Sequence, residues 1–320
     1  MDPYFKDLSP WYSDFRVGLI ELIGTLVYTT FGYSIYIAAY IQTAALATPG
    51  TKHSGFLNLI VAFGWCIGAT LALFLPVGVY RVHLNPVITI ANAIYRRYPV
   101  RRIPIMLICQ FVGSFMGFML AYSVYSLKFK SAQTLAQQVN PGNVSKVFLE
   151  FVLPKFLVTS STTPFSIEHL PTMNLDGIDQ TCSFLTNFFG GFILVLGLFA
   201  ITDKRQLLFR PIVPVSFGLF LISLYLSLGT KTNTLFNPTT DLAAFLASKI
   251  LIQPDATSST NTLGFPVLDY VIAPVSFVVM PILGGIVGGL MFAMVRAPRA
   301  DFELASDLER ANPKESGYSS

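Results

Sequence analysis

Apolar runs at 22–41, 56–80, 103–127, 184–202, 211–230 and 270–295 alternate with more polar connections along the chain. Each is about the ~20 residues that a helix needs to cross hydrocarbon. The first extends back to Val17 once the single acid Glu21 is admitted into it. This pattern predicts six membrane-spanning helices. Two further apolar stretches are too short to span. One begins at Asn85-Pro86 and the other at Asn237-Pro238, 152 residues later. In each, the asparagine is a good N-cap, and the proline takes the first helical position, where a missing N–H is no loss. The spacing predicts half-length helices over 85–95 and 237–248, each about 17 Å long.

The longest connection, 128–183, leaves three spans on either side, with an Asn-Pro element between the second and third span of each half. An odd number of spans turns the second half upside down relative to the first, which is the signature of an inverted repeat. The expected organisation is a tail (1–16), a first repeat (17–127), an outer loop (128–183), a second repeat (184–295) and a second tail (296–320). By that symmetry the half-helices enter from opposite faces and meet near the midplane with their N-termini facing. Non-helical backbone at that depth is tolerated where it is buried in protein or lines a polar cavity. The expected result is a passage lined by carbonyls, with the two asparagines as central donors. Two positive helix ends at one point repel cations and leave neutral molecules free to pass.

Composition agrees with a membrane protein. Charged residues make up 12% of the 320, too few to cover a soluble domain of that size, and 53% are hydrophobic. With six spans, the N-terminus, the 81–102 and 203–210 connections and the C-terminus share one side. That side carries all eleven arginines and three of the ten lysines. The positive-inside rule therefore places both termini in the cytoplasm. The net charge of +4 reads as topology, and no nucleic-acid partner is expected. On the outer side, Asn143-Val-Ser is either an N-glycosylation acceptor or a chance triplet. The nearby run at 147–158 is interrupted by Glu150, Pro154 and Lys155 and reads as a partly buried loop. The first span is too long for a signal peptide and lies behind a polar lead. The three cysteines (Cys66, Cys109, Cys182) are odd in number and give no disulfide framework. The sequence offers no nucleophile–base pair, metal-ligand cluster or phosphate loop, so neither an enzyme nor a cofactor is expected. Gly113, Gly117 and the "GGIVGG" run at 284–289 are placed for close helix packing.

Four stretches, "IELIGT" (20–25), "HLNPVITIA" (83–91), "FAITD" (199–203) and "NPTTDLAAF" (237–245), resemble the motifs of the major intrinsic proteins, the aquaporins and aquaglyceroporins. The resemblance covers nearly the whole chain. It implies an all-α membrane protein of six transmembrane helices and two half-helices. It also implies a homotetramer, each protomer with its own pore for water, glycerol or other small neutral solutes; the membrane expected is the plasma membrane.

Both boxes depart from the family's Asn-Pro-Ala, because Val87 and Thr239 stand in place of the alanines. The resemblance places the selectivity filter at Trp65, Tyr225, Thr234 and Thr240, and Thr240 occupies the position of the family's arginine. Trp65 and Tyr225 can equally be read as packing aromatics. Trp65 with Asp241 leans towards the glycerol type, although Asp241 also suits the positive end of a half-helix. Glu21, Asn187 and His83 are expected to support the pore loops, Glu21 by accepting bonds from loop backbone. The function expected is passive passage of small uncharged solutes such as glycerol and polyols, and of water. Three alternatives stand beside it: a water-selective channel, a non-conducting junctional protein and an inverted-repeat secondary transporter. Against the transporter, Glu21 is the one carboxylate inside a span proper.

Overall fold

Proline and asparagine set the two short helices, and apolar length sets the long ones. In the computed structural model, residues 10–45, 54–76, 82–139, 178–203, 205, 210–232, 234–251 and 275–296 are described. Among them every regular element is helical. Helices α1 (Pro10–Ala45), α2 (Ser54–Phe74), half-helix α3 (Pro86–Tyr95) and α4 (Ile103–Val139) form the first half. The second half runs α5 (Ile178–Ile201), α6 (Val213–Leu224), half-helix α7 (Pro238–Leu251) and α8 (Met280–Val295). Asn143 lies outside the described residues.

Among the described residues, five helices are long and apolar enough to cross a membrane. The fifth expected span, 211–230, is the exception, and its sequence is not the reason. Helix α6 stops at Leu224 and passes into a π-helical turn, Tyr225–Gly229, before one more α turn, Thr230–Thr232. A second π turn, Val275–Val279, leads into α8. Helix α1 begins well before its apolar run, at Pro10. Its first turns carry Asp14, which Arg102 holds at 2.7 Å, and Trp11, which is 73% exposed. Such residues suit a membrane–water boundary and escape a purely hydrophobic reading.

The pairings explain why both halves are needed. Helix α1 packs on α4, and α5 on α8, within their own halves. The half-helices cross over: α3 packs on α8, and α7 on α4. Gly113 and Gly117 of α4 face the Leu22 and Leu26 carbonyls of α1, while Gly284 and Gly288 of α8 face those of Phe188 and Phe192 on α5. A side chain at any of the four would run into backbone, so these glycines set the helix separation.

The packing is inside-out relative to a soluble bundle. On α2, Phe56, Leu59, Phe63, Ile67 and Leu71 recur every three or four residues and are exposed. On α1, Glu21, Thr25 and Thr29 recur every four and are buried. The outer face suits lipid, and the polar inner row suits hydrogen bonding between helices. On the arginine-rich side, Arg96 at the end of α3 donates to Thr202 Oγ1 (2.7 Å) and to the Phe199 carbonyl (3.2 Å), locking α3 onto α5. Nearby, burial works against the Asp203 carboxylate. Hydrogen bonds from Arg205 and the charge of Arg296 outweigh it and hold its pKa below the ordinary aspartate value.

Replacing Gly284 by valine should push α8 off α5. Overpacking of this kind costs about 1–3 kcal/mol. A thermal melt of the detergent-solubilised protein should show a clear drop for Gly284→Val. Leu290→Ala, on the exposed face of the same helix, should melt like the parent.

Candidate functional site

Each half-helix is capped as its sequence predicts. The Asn85 side-chain oxygen accepts from Val87 N at 2.8 Å, and that of Asn237 accepts from Thr239 N at 3.3 Å and Thr239 Oγ1 at 2.9 Å. The amide nitrogens do something different. Asn85 Nδ2 donates to the Phe236 carbonyl at 3.1 Å, and Asn237 Nδ2 to the Leu84 carbonyl at 2.8 Å. Each asparagine therefore caps its own half-helix and grips the residue before the other. The two N-termini are pinned together. The gripped residues are the matching ones in the two halves, and both adopt left-handed backbone, Leu84 at φ 60° and Phe236 at φ 56°. That conformation is uncommon for non-glycine residues and persists only where the surroundings enforce it.

Glu21 supplies part of that enforcement. Its carboxylate accepts from His83 N (2.5 Å), Leu84 N (3.0 Å) and Gln110 Nε2 (2.9 Å). Gln110 Nε2 also reaches Thr89 Oγ1 at 3.0 Å, and Thr89 Oγ1 in turn bonds the Asn85 carbonyl at 3.1 Å. The His83 ring lies 3.2 Å from Thr89 Oγ1 and stands edge-on to Tyr98. In the second half, Asn187 takes the place of the acid. Its oxygen accepts from Thr234 Oγ1 at 3.0 Å, and its nitrogen donates to Ser276 Oγ at 3.0 Å. Gln110 follows Glu21 by 89 residues, and Ser276 follows Asn187 by the same 89. The same sites on the two outer helices of each half are thus linked, with neutral partners replacing the acid and amide.

Near the Asn237 end is a small cavity of about 20 Å³, lined by Tyr33, Tyr36, Trp65, Tyr225, Leu235, Thr240 and Asp241. It has room for roughly a single water. Tyr36 and Tyr225, both in its wall, hydrogen-bond each other through their hydroxyls. Tyr33 donates its hydroxyl to the Thr240 carbonyl at 2.8 Å. Trp65 is buried, with Tyr28 and Tyr33 rings 5.0 Å from its own, and it lies where Gly32 has no side chain. Asp241 is 6% exposed, and its Oδ2 has no hydrogen-bond partner among the described residues.

Residues 11–295 match the family described as Major intrinsic protein. The chain belongs to the major intrinsic protein family. It is 28% identical to the glycerol uptake facilitator protein of Bacillus subtilis over 272 residues, 85% of this chain and 82% of that protein. An aquaporin of Laccaria bicolor is 26% identical over 280 residues, 87% of this chain and 90% of the relative. In fold it is similar to the aquaglyceroporin from Plasmodium falciparum, with a TM-score of 0.64 at 18% identity, covering 90% of this chain and 99% of that one.

For a major intrinsic protein, the altered boxes are accommodated by particular neighbours. Val87 sits against Gly285 of α8, where a Cβ would collide with it, so the added methyls fit because that position is bare. Thr239 turns its hydroxyl back onto its own box asparagine. Of the four residues expected at the filter, Trp65, Tyr225 and Thr240 line the cavity and Thr234 does not. The Thr234 hydroxyl is instead held between Asn187 (3.0 Å) and Thr232 (3.1 Å). Tyr33, Tyr36 and Gln110 belong to the site and were not singled out from the sequence. Gln110 is a buried amide inside an apolar run, a signal that was there to be read. The two tyrosines are merely aromatic positions in a long apolar helix, with nothing local to mark them.

Asn85→Asp keeps the cap oxygen but replaces the gripping N–H by an acceptor facing the Phe236 carbonyl. A buried polar group left without its partner costs about 1–3 kcal/mol. The variant should melt lower than the parent and conduct poorly, although its half-helix remains capped. Parent-like melting and flux for both Asn85→Asp and Asn237→Asp would show that the cross-grip is dispensable.

Proposed function

We propose that the chain is a passive channel for small uncharged solutes, glycerol and polyols among them, and for water. The observation that carries this reading is the reciprocal grip of Asn85 and Asn237. It holds two half-helix N-termini together beside a cavity walled by rings, hydroxyls and one carboxyl group. An amide has two N–H groups, so Asn85 can offer one beyond its grip, whereas Asn237 also bonds the Tyr28 hydroxyl. The relatives named as a glycerol facilitator and an aquaporin support the same class. Trp65, Tyr225 and Thr240 act as the filter, with Tyr33 and Tyr36 added. Glu21, His83 and Asn187 hold the pore loops.

The reading places both tails in the cytoplasm of a plasma-membrane protein, with 128–183 outside and Asn143 open to glycosylation. The functional unit is a homotetramer with a pore in each protomer. A water-selective channel is the second reading, and the size of the cavity favours it, since it has room for roughly one water.

Stopped-flow light scattering on proteoliposomes separates the two readings. Glycerol should pass alongside water. Thr240→Arg should narrow the filter and lower glycerol flux more than water flux, and Tyr225→Gly in the same chain should restore glycerol. Water flux with glycerol excluded from the parent protein would overturn the solute reading in favour of the water-selective one.

A further inference from the structure

The loop after half-helix α3 carries four arginines of two kinds. Arg96 and Arg102 are turned inward. Arg96 is fixed on Thr202 and on the carbonyl and ring of Phe199, and Arg102 on Asp14 Oδ1 (2.7 Å) and Ser13 Oγ (2.8 Å). Arg97 and Arg101 are turned outward. Arg97 is exposed, and no described residue binds its side chain. The Arg101 side chain is 59% exposed and reaches Asp14 Oδ1 at a long 3.4 Å, an oxygen that Arg102 already holds.

The outward place of Arg97 has a cost. Tyr98 N donates back to the Asn92 carbonyl at 3.2 Å, which closes the end of α3 through a left-handed residue, and Arg97 takes that conformation at φ 54°. Glycine is the usual residue there, because it turns left-handed without strain. Here the position holds a charge directed away from the protein.

Beside these two arginines is an aromatic surface. Trp11 and Phe15, both exposed and one turn apart on α1, stack with ring centroids 5.8 Å apart. Asp14 lies between them in the chain, so its contact with Arg101 brings that guanidinium to the start of α1. Val100 and Ile108 are exposed as well and extend the apolar face. An exposed tryptophan at the end of an apolar helix marks the level of lipid headgroups. A guanidinium at that level meets phosphate, whose oxygens match its fork of N–H donors. The rings by themselves would hold any lipid. The arginines discriminate, because a zwitterionic headgroup brings its own cation to the phosphate and an anionic one does not.

We propose that Arg97, Arg101 and the Trp11–Phe15 face form a binding site for the headgroup of an anionic membrane phospholipid. Arg96 of the same loop ties α3 to α5, so the bound lipid steadies the outer end of the first half-helix. The site does not depend on which molecules the channel passes.

The chain has two tryptophans, so Trp65→Phe leaves Trp11 as the one reporter. That protein is reconstituted in phosphatidylcholine vesicles with a rising share of brominated phosphatidylglycerol or, in a second series, brominated phosphatidylcholine. Bromine quenches a tryptophan that it touches. Phosphatidylglycerol should be preferred at Trp11 by about tenfold, on the scale of a few-fold for each arginine at headgroup level. Arg97→Gln and Arg101→Gln should each lower that preference about threefold, and the double substitution should bring it close to one. Arg296→Gln, at the end of α8 and paired with Asp203, should leave the preference as it is. Inorganic phosphate should not displace the lipid. If Trp65→Phe fails to fold, the parent protein is melted in detergent with either lipid added. Phosphatidylglycerol should then raise the midpoint more than phosphatidylcholine, and the double arginine substitution should abolish the difference. Equal quenching or equal melts with the two lipids, an equal loss in Arg296→Gln, or displacement by free phosphate would overturn the proposal.

Discussion

A strand of non-helical backbone in the middle of an apolar protein needs every N–H and C=O accounted for, and here two asparagine side chains do most of that work. Each oxygen caps its own half-helix, and each nitrogen takes a carbonyl from the opposite one. Those carbonyls are available because Leu84 and Phe236 turn into left-handed backbone, a conformation that costs of order 1–3 kcal/mol for a residue with a side chain. Glu21 holds Leu84 from the other direction through its N–H. The strain is offset from both sides, and the chain path towards the pore follows from it.

The helices around this centre are arranged to protect it. Glycines let α4 approach α1, and α8 approach α5, to backbone contact. The half-helices then reach across to the other half, α3 onto α8 and α7 onto α4. Neither half can complete its own packing. Val87 shows how tightly this is specified, because its extra bulk is taken up by the missing side chain of Gly285. A larger box residue and a bare facing position act together.

The cavity beside Asn237 is where this protein departs furthest from an arginine-gated passage. Tyr36 and Tyr225 are joined by a hydroxyl–hydroxyl bond in its wall, and Tyr33 is tied to the backbone of Thr240. A π turn begins at Tyr225, and its extra residue shifts the register of everything that follows.

Much of this was legible in the chain itself. Apolar length marked the spans, Asn85-Pro86 and Asn237-Pro238 marked the half-helix starts, and a carboxylate in a span marked Glu21 as a support. These are local signals, because burial in lipid, capping and the lack of a proline N–H act on a residue and its near neighbours. The π turn after Leu224 was not legible, since it depends on how α6 meets the helices beside it. Thr234 shows the same limit. Its position in the chain suggested the filter, yet its hydroxyl is turned to Asn187 and Thr232. Tyr33 and Tyr36 lie about 190 residues before Tyr225 and have no pattern that announces a shared wall. By itself the sequence determined most of the helices, where the two half-helices start and the charge each carries, because those follow from backbone hydrogen bonding and transfer into lipid. Which side chains face one another across the passage was decided by tertiary structure alone, because it depends on rotation and separation of helices set by glycine contacts and by two asparagines gripping opposite halves.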